Sequence, residues 1–223
     1  MKKQEVLESL KDGLIVSCQA VPEEPHYMEG ITVKFAECAA WAGAKGIRAN
    51  SPEDIRAIKA QVDLPVIGIW KINRNVKDVY LTPNLEAAKA VWEAGAEIIA
   101  VQATHHYRDD GKLAYETIRE IKENIPEALI FADVSTAEDA RIAAEMGADF
   151  VAPTLAGYTK AGAFDKLEIK DAPDYILLRD IVDAVKGTGA RVIMEGKVAT
   201  PEIAVQCLYM GAYAVVVGNA ITR

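Results

Sequence analysis

The fold class this sequence predicts is an α/β (β/α)8 barrel, and three observations predict it. Eight short apolar runs are nearly continuous rather than alternating, as expected of parallel strands buried on both faces. Helical patterns separate them at an average spacing of about 28 residues. Five times a helical pattern ends in Gly-Ala directly before an apolar run, at Gly43-Ala44, Gly95-Ala96, Gly147-Ala148, Gly189-Ala190 and Gly211-Ala212. Glycine there takes the left-handed turn that stops a helix, so the repeat marks a helix-to-strand passage. An open doubly wound sheet is the competing architecture, but the chain has no Rossmann glycine fingerprint and its units are equivalent.

The elements follow in order. Residues 1–12 carry Val6, Leu7 and Leu10 and read as a short helix closing the bottom of the barrel. Strands are predicted at 14–20, 46–49, 65–70, 98–103, 129–134, 150–153, 192–194 and 214–217. Helices are predicted between them, among them 53–62, 85–94, 115–124 and 138–146. Ser51-Pro52-Glu53, Thr82-Pro83-Asn84, Thr136-Ala137-Glu138 and Thr200-Pro201-Glu202 are start signals: a hydroxyl caps, proline suits the first turn, and acids favour the positive end. Trp41, Trp70 and Trp92 fall inside these patterns and are expected in the core. No boundary interrupts the series, so residues 1–223 read as one barrel domain.

Composition narrows the function classes. Of the 223 residues 51% are hydrophobic and 26% charged, which excludes a disordered or fibrous chain. A net charge of -8 argues against nucleic-acid binding and against an anionic membrane surface. Cys18, Cys38 and Cys207 cannot close a disulfide framework and suit a reducing compartment. Met1-Lys2-Lys3 runs into Gln4-Glu5 without a signal-peptide core, and no apolar run approaches the roughly 18 residues of a membrane span. The expected location is cytoplasmic.

A barrel of this type carries its chemistry at the C-terminal strand ends. The polar residues ending the eight runs are Gln19, Arg48, Lys71, Gln102, Asp133, Thr154 and Glu195, with Gly218 after the eighth. By alternation Lys71 shares a face with Ile67 and Ile69, Asp133 with Leu129 and Phe131, and Glu195 with Ile193. If those apolar partners fill the interior, the charged ends converge on its mouth. Burial after Val66-Ile67-Gly68-Ile69-Trp70 and a cation such as Arg48 would both push Lys71 below its usual pKa of about 10.4. A lysine so tuned serves as a general base or a Schiff-base nucleophile. Glu195 offers a carboxylate able to give or take a proton, Asp133 a group to hold the lysine or a hydroxyl, and Gln19 an uncharged partner for a carbonyl.

A second signal lies in the last two loops. Glu195-Gly196-Lys197 and Gly218-Asn219, continuing to Arg223, occupy the place where such barrels hold a phosphate on backbone N–H groups. Arg223 would add a charge-assisted contact. His105-His106 could suggest metal ligands, but adjacent histidines on a loop point apart and no third lies near, so no metal site is expected. His26 reads as structural.

In order, Val16-Ser17-Cys18-Gln19-Ala20, Gly46-Ile47-Arg48-Ala49-Asn50, Gly68-Ile69-Trp70-Lys71, Ala132-Asp133-Val134-Ser135-Thr136, Leu155-Ala156-Gly157-Tyr158-Thr159, Glu195-Gly196 and Val217-Gly218-Asn219-Ala220-Ile221-Thr222-Arg223 resemble the N-acetylmannosamine-6-phosphate 2-epimerase family over essentially the whole chain. The resemblance implies a barrel of the ribulose-phosphate-binding type. It also implies conversion of N-acetylmannosamine 6-phosphate to N-acetylglucosamine 6-phosphate in bacterial sialic acid breakdown, without metal or organic cofactor. On it Lys71 and Glu195 exchange the C2 proton, while Arg48 and Asp133 assist. Gln19, Gln102, Thr154 and Tyr158 contact the sugar. Gly196, Lys197, Gly218, Asn219 and Arg223 hold the phosphate. The sequence departs from the family at Gln102, where strand four usually ends in Asp, and in the 105–111 loop. Both departures bear on sugar specificity more than on the chemistry.

Two other readings stay open on the residues: a Schiff-base aldolase on a phosphorylated keto acid, and a non-catalytic sugar-phosphate-binding barrel. The chain is also shorter than the roughly 250 residues usual for such barrels, with no room for an eighth helix after Gly218. The outward face of strand eight, including Val215 and Val217, is therefore expected to be exposed unless a further C-terminal segment or another subunit covers it. A homodimer with strand eight near its interface is the expectation.

Overall fold

A computed structural model describes residues 2–72, 79–157 and 172–223. Eight strands, β1 (Leu14–Cys18), β2 (Gly46–Asn50), β3 (Val66–Ile69), β4 (Ile98–Gln102), β5 (Leu129–Asp133), β6 (Phe150–Ala152), β7 (Arg191–Glu195) and β8 (Ala214–Val217), close into a barrel in sequence order. All eight pairings are parallel, and β8 returns to β1 through Leu14↔Val215 and Val16↔Val217. The helices are α1 (Lys3–Leu10), α2 (Ile31–Trp41), α3 (Pro52–Lys59), α4 (Leu85–Glu93), α5 (Glu116–Asn124), α6 (Ala137–Glu145), α7 (Tyr175–Ala184), α8 (Pro201–Tyr209) and the single turn α9 (Asn219–Thr222).

Strand alternation divides the core in two. Ile15, Ile67, Ile69, Ile98, Ala100, Leu129, Phe131, Phe150, Ile193, Ala214 and Val216 fill the barrel. Val16, Ile47, Val66, Ile99, Ile130, Val151, Val192 and Val215 face the helix ring. The predicted partners of Lys71, Asp133 and Glu195 are thus the interior ones. From below, α1 inserts Val6, Leu7 and Leu10 into the inner cluster. Leu10 fits because Gly46 has no side chain; a Cβ there would stand 2.8 Å from Leu10 Cδ2.

Local punctuation largely matches the sequence signals. Gly43, Gly95, Gly147 and Gly211 each follow the cap of a helix with φ between 90° and 105°, and Gly189, at 89°, turns the chain into β7. Ser51, Thr136 and Thr200 cap α3, α6 and α8 through Asp54 N, Asp139 N and Ile203 N. The third start signal is corrected: Asn84, not Thr82, caps α4, accepting from Ala87 N at 2.9 Å. Thr82 is drawn back to β3, where its Oγ1 accepts from Trp70 N at 3.1 Å.

Two burial expectations are also corrected. Val215 and Val217 are 3% and 7% exposed, because α8 packs over β8 and both valines join the outer core layer. Trp41 is 91% exposed at the end of α2, whereas Trp70 and Trp92 pack against that layer as predicted. Among the exposed large apolar side chains, Trp41 on α2 and Val205 and Tyr209 on α8 lie on the helices flanking the β8–β1 seam. Among the described residues, no helix is long and apolar enough to cross a membrane.

Candidate active site

Parity puts Gly46, Arg48 and Asn50 on the inner face of β2, since Ile47 and Ala49 join the outer layer. Arg48 is only 1% exposed, and a buried guanidinium requires carboxylates around it. Its Nη2 donates to both oxygens of Asp133 at 2.9 and 2.8 Å, and its Nη1 donates to Glu195 Oε2 at 2.5 Å. Its Cζ lies over the Phe131 ring, 4.9 Å from the ring centroid. One cation thereby ties the ends of β2, β5 and β7 together. Desolvation opposes the Arg48 charge, but Asp133 and Glu195 outweigh it and raise its pKa.

Glu195 is the group this arrangement perturbs toward neutrality. Burial pushes its carboxyl up to about 7; the Asp133 charge adds to the push, and Arg48 and Lys71 oppose it. A carboxyl with a pKa near neutral pH is present in both its protonated and ionised forms there, as a group that gives and takes a proton must be.

Lys71 lies two residues past the end of β3. Its Nζ donates to Gln19 Oε1 at 2.5 Å, and Gln19 Nε2 donates to Ser17 Oγ at 2.9 Å. Asp133 is bound by Arg48, and Gln19 is a partner that orients the lysine. The backbone of Lys71 pairs with Leu81 as an antiparallel bridge, flanked by Ile72 N to Tyr80 O and Thr82 N to Trp70 O, both 2.9 Å. Gln102, 2% exposed, anchors that returning segment: its Oε1 accepts from Tyr80 N at 3.2 Å and its Nε2 donates to Thr104 Oγ1 at 3.2 Å. The Thr154 Oγ1 on β6's extension is buried and has no partner among the described residues. Tyr158 lies outside the described residues.

The last two loops converge beside this cluster. Gly196 and Lys197 both take positive φ, 113° and 57°, and Gly218 caps α9, whose first N–H groups have no carbonyl behind them. Gly218 packs against β1; a Cβ there would lie 3.4 Å from Ser17 Cβ. Asn219 and Arg223 are exposed, and Arg223 Nη2 forms an ion pair with Glu24 Oε1 at 2.6 Å.

The histidines separate as their adjacency implied. His105 Nδ1 meets Asp139 at 2.9 Å and the Tyr115 hydroxyl at 2.7 Å on the outer side, while His106 Nδ1 meets Thr104 Oγ1 at 3.0 Å. Among the described residues no cluster of three His, Cys, Asp or Glu could hold a metal. His26 packs on Phe35, with ring centroids 5.9 Å apart.

Sequence reasoning passed over Asn50, whose Oδ1 accepts the Lys71 backbone N–H at 2.9 Å. Its parity with Arg48 was the available signal. Thr82 was read only as a cap, although a positive φ of 44° on a β-branched residue marks it as strained.

A closed (β/α)8 barrel that gathers a lysine, a raised-pKa glutamate and an arginine–aspartate pair at its C-terminal strand ends has the form of a barrel enzyme. The comparisons with known proteins are specific. The model of the family described as "Putative N-acetylmannosamine-6-phosphate epimerase" matches residues 32–223, and the chain belongs to that family. Relatives named "Putative N-acetylmannosamine-6-phosphate 2-epimerase" include one of Listeria welshimeri, 41% identical over 218 residues, covering 98% of this chain and 90% of its own. Another, of Caldanaerobacter subterraneus, is 43% identical over 221 residues, covering 99% of this chain and 90% of its own. The solved N-acetylmannosamine-6-phosphate 2-epimerase of Clostridium perfringens superposes with a TM-score of 0.87 at 36% identity, over 97% of this chain and 90% of that one. An aldolase, QR15, at 17% identity and a TM-score of 0.67 over 97% of this chain and 92% of its own, shares the fold alone.

Proposed function

We propose that this protein is a cytoplasmic 2-epimerase that interconverts N-acetylmannosamine 6-phosphate and N-acetylglucosamine 6-phosphate by moving the C2 proton. The observation that carries the reading is the disposition of Lys71 and Glu195. They extend from β3 and β7, four strands apart in an eight-strand ring, and so approach the mouth from opposite sides. Inversion at one carbon needs that: a base on one face and an acid on the other.

In the open-chain sugar the C2 proton is acidic because it lies α to the C1 aldehyde. Neutral Lys71, steered by Gln19, takes this proton, and the electron pair passes through C1 to its oxygen, giving an enediolate. Glu195, in its protonated form, returns a proton to C2 from the other face; the reverse reaction exchanges the roles. The Arg48 cation, fixed between Asp133 and Glu195, stabilises the developing negative charge from a site already organised before substrate binds. Gly196, Lys197, Gly218, Asn219 and Arg223 hold the 6-phosphate, Arg223 exchanging Glu24 for it. This remote grip supplies binding energy that places the reacting carbon. Thr154, whose buried hydroxyl has no partner among the described residues, contacts the sugar, as does Tyr158. Gln102 acts on the sugar site through the Tyr80–Thr82 segment it anchors.

The test is proton NMR of N-acetylmannosamine 6-phosphate incubated with the protein in heavy water. The expected result is loss of the C2 proton signal and growth of the second epimer. Absence of both, or borohydride trapping of a sugar on Lys71, would overturn the reading. We further propose that the working form is a homodimer joined across the β8–β1 seam.

A further inference from the structure

Asn50 is the last residue of β2 and, two past Arg48, lies on the inner face of the barrel. Its register partner is Ile69, and the next inner residue along β3 is Lys71. A parallel ladder would offer the Lys71 N–H a carbonyl from an extended β2. The chain instead leaves the sheet at Ser51, which donates its N–H to Ile69 O at 2.9 Å and then caps α3. Ser51 makes that exit with φ 75° and ψ 147°, a conformation that only glycine enters without strain. The Asn50 side chain replaces the lost carbonyl, its Oδ1 accepting from Lys71 N at 2.9 Å. That contact also assigns the amide: with Oδ1 committed to a donor, Nδ2 is the group directed elsewhere. Asn50 is half-buried, and among the described residues no acceptor meets Nδ2, nor is the atom sealed from solvent as Arg48 Nε and Thr154 Oγ1 are. On the inner face, the direction left to it is the barrel mouth.

We infer that Asn50 positions Lys71 through its carbonyl and, with the NH2 of the same amide, donates a hydrogen bond to a substrate oxygen next to the carbon Lys71 deprotonates. The strained Ser51 turn keeps both ends of that amide committed. The inference rests on the proton-transfer reading for its substrate half; the Lys71 contact stands apart from it.

Two variants separate the halves. Asn50→Asp keeps an acceptor for the Lys71 N–H and removes the donor, whereas Asn50→Ala removes both. Amide hydrogen exchange by NMR reads the first half. Lys71 N–H is expected to exchange at least about tenfold faster in Asn50→Ala and to stay protected in Asn50→Asp, with Phe131 N–H slow in both as a check on folding. Deuterium incorporation at C2 of N-acetylmannosamine 6-phosphate reads the second. Asn50→Asp is expected to lose about 10²-fold in kcat/KM, the scale of one well-placed donor, and Asn50→Ala at least as much with most of the loss in kcat. Unchanged Lys71 protection in Asn50→Ala would overturn the positioning role, and wild-type kcat and KM in Asn50→Asp would overturn the donor. If the wild-type protein exchanges no deuterium at C2, the proposed reaction falls and the donor falls with it. The amide measurement still decides the Lys71 contact.

Discussion

A carboxyl that delivers a proton near neutral pH needs a pKa near 7, and Glu195 reaches about 7 because burial beside Asp133 outweighs the pull of Arg48 and Lys71. The sign of the pH effect follows. Glu195 is the acid when Lys71 is the base, so in that direction kcat/KM falls as pH rises through about 7 and the carboxyl ionises. Glu195→Gln retains an oxygen for Arg48 but has no proton to transfer. It is expected to lower kcat about 10²- to 10⁴-fold and to abolish the fall above pH 7, which a pH–rate profile will check. Lys71→Met should erase C2 exchange in heavy water by a comparable factor while leaving phosphate-ester binding measurable by calorimetry; retained exchange would remove the lysine from the chemistry. Lys71, Arg48, Asp133 and Glu195 were legible in the sequence because each ends an apolar run, and run ends converge in a barrel. Their partners were not. Arg48 meets Asp133 and Glu195 across separations of 85 and 147 residues, and nothing local to Arg48 says which carboxylate it binds. Asn50 was missed for a related reason, since its role depends on a ladder carbonyl that the Ser51 turn takes away.

Strand ends and the loops that leave them hold the strain. Among the described residues, the non-glycine residues with positive φ besides Asp12 are Ser51, Thr82 and Lys197, which follow β2, return to β3 and follow β7. Each such residue costs about 1–3 kcal/mol, an expense concentrated where the catalytic side chains are aimed. The body of each unit is built the other way, for close packing. In β3, Gly68 faces outward, where a Cβ would lie 2.6 Å from Val91 Cγ1 and 2.8 Å from both Ala96 Cβ and Ile55 Cδ1. The glycine therefore lets α3 and α4 close onto the strand that carries Lys71. Gly68→Ala is expected to overpack this contact by about 1–3 kcal/mol, lowering Tm by several degrees in a thermal melt. A variant as stable as the parent would show that the helices can move aside. Helix starts and stops were legible because capping is local chemistry; the exception at Thr82 arose where a tertiary contact, to Trp70 N, claimed the hydroxyl.

At the scale of the whole molecule, seven of the eight strand junctions are covered by the helix of the intervening βα unit, and the β8–β1 seam is the eighth. β8 runs into the turn α9, which is pinned to β1 by Thr222 Oγ1 donating to Ser17 O at 3.2 Å. The seam's own valines are buried, so its apolar character appears one layer out. Leu14 at the foot of β1 is 36% exposed, Trp41 91%, Val205 49% and Tyr209 89%. Two large aromatics this open on the helices flanking one seam form the kind of exposed apolar face that marks an interaction site. A second copy docked there would meet the same residues about a two-fold axis, an arrangement that closes rather than polymerises. The homodimer is tested by light scattering across a dilution series: twice the chain mass is expected for the parent. Trp41→Glu combined with Tyr209→Lys should yield a folded monomer, since both side chains project from helix ends and neither belongs to the core. A parent that stays monomeric at high concentration would end the proposal. A double variant that remains dimeric would move the interface away from the seam. If dimer and seam agree, the helices nearest the phosphate loops after β7 and β8 are braced from outside, and the monomeric variant should show a raised KM with kcat nearly unchanged.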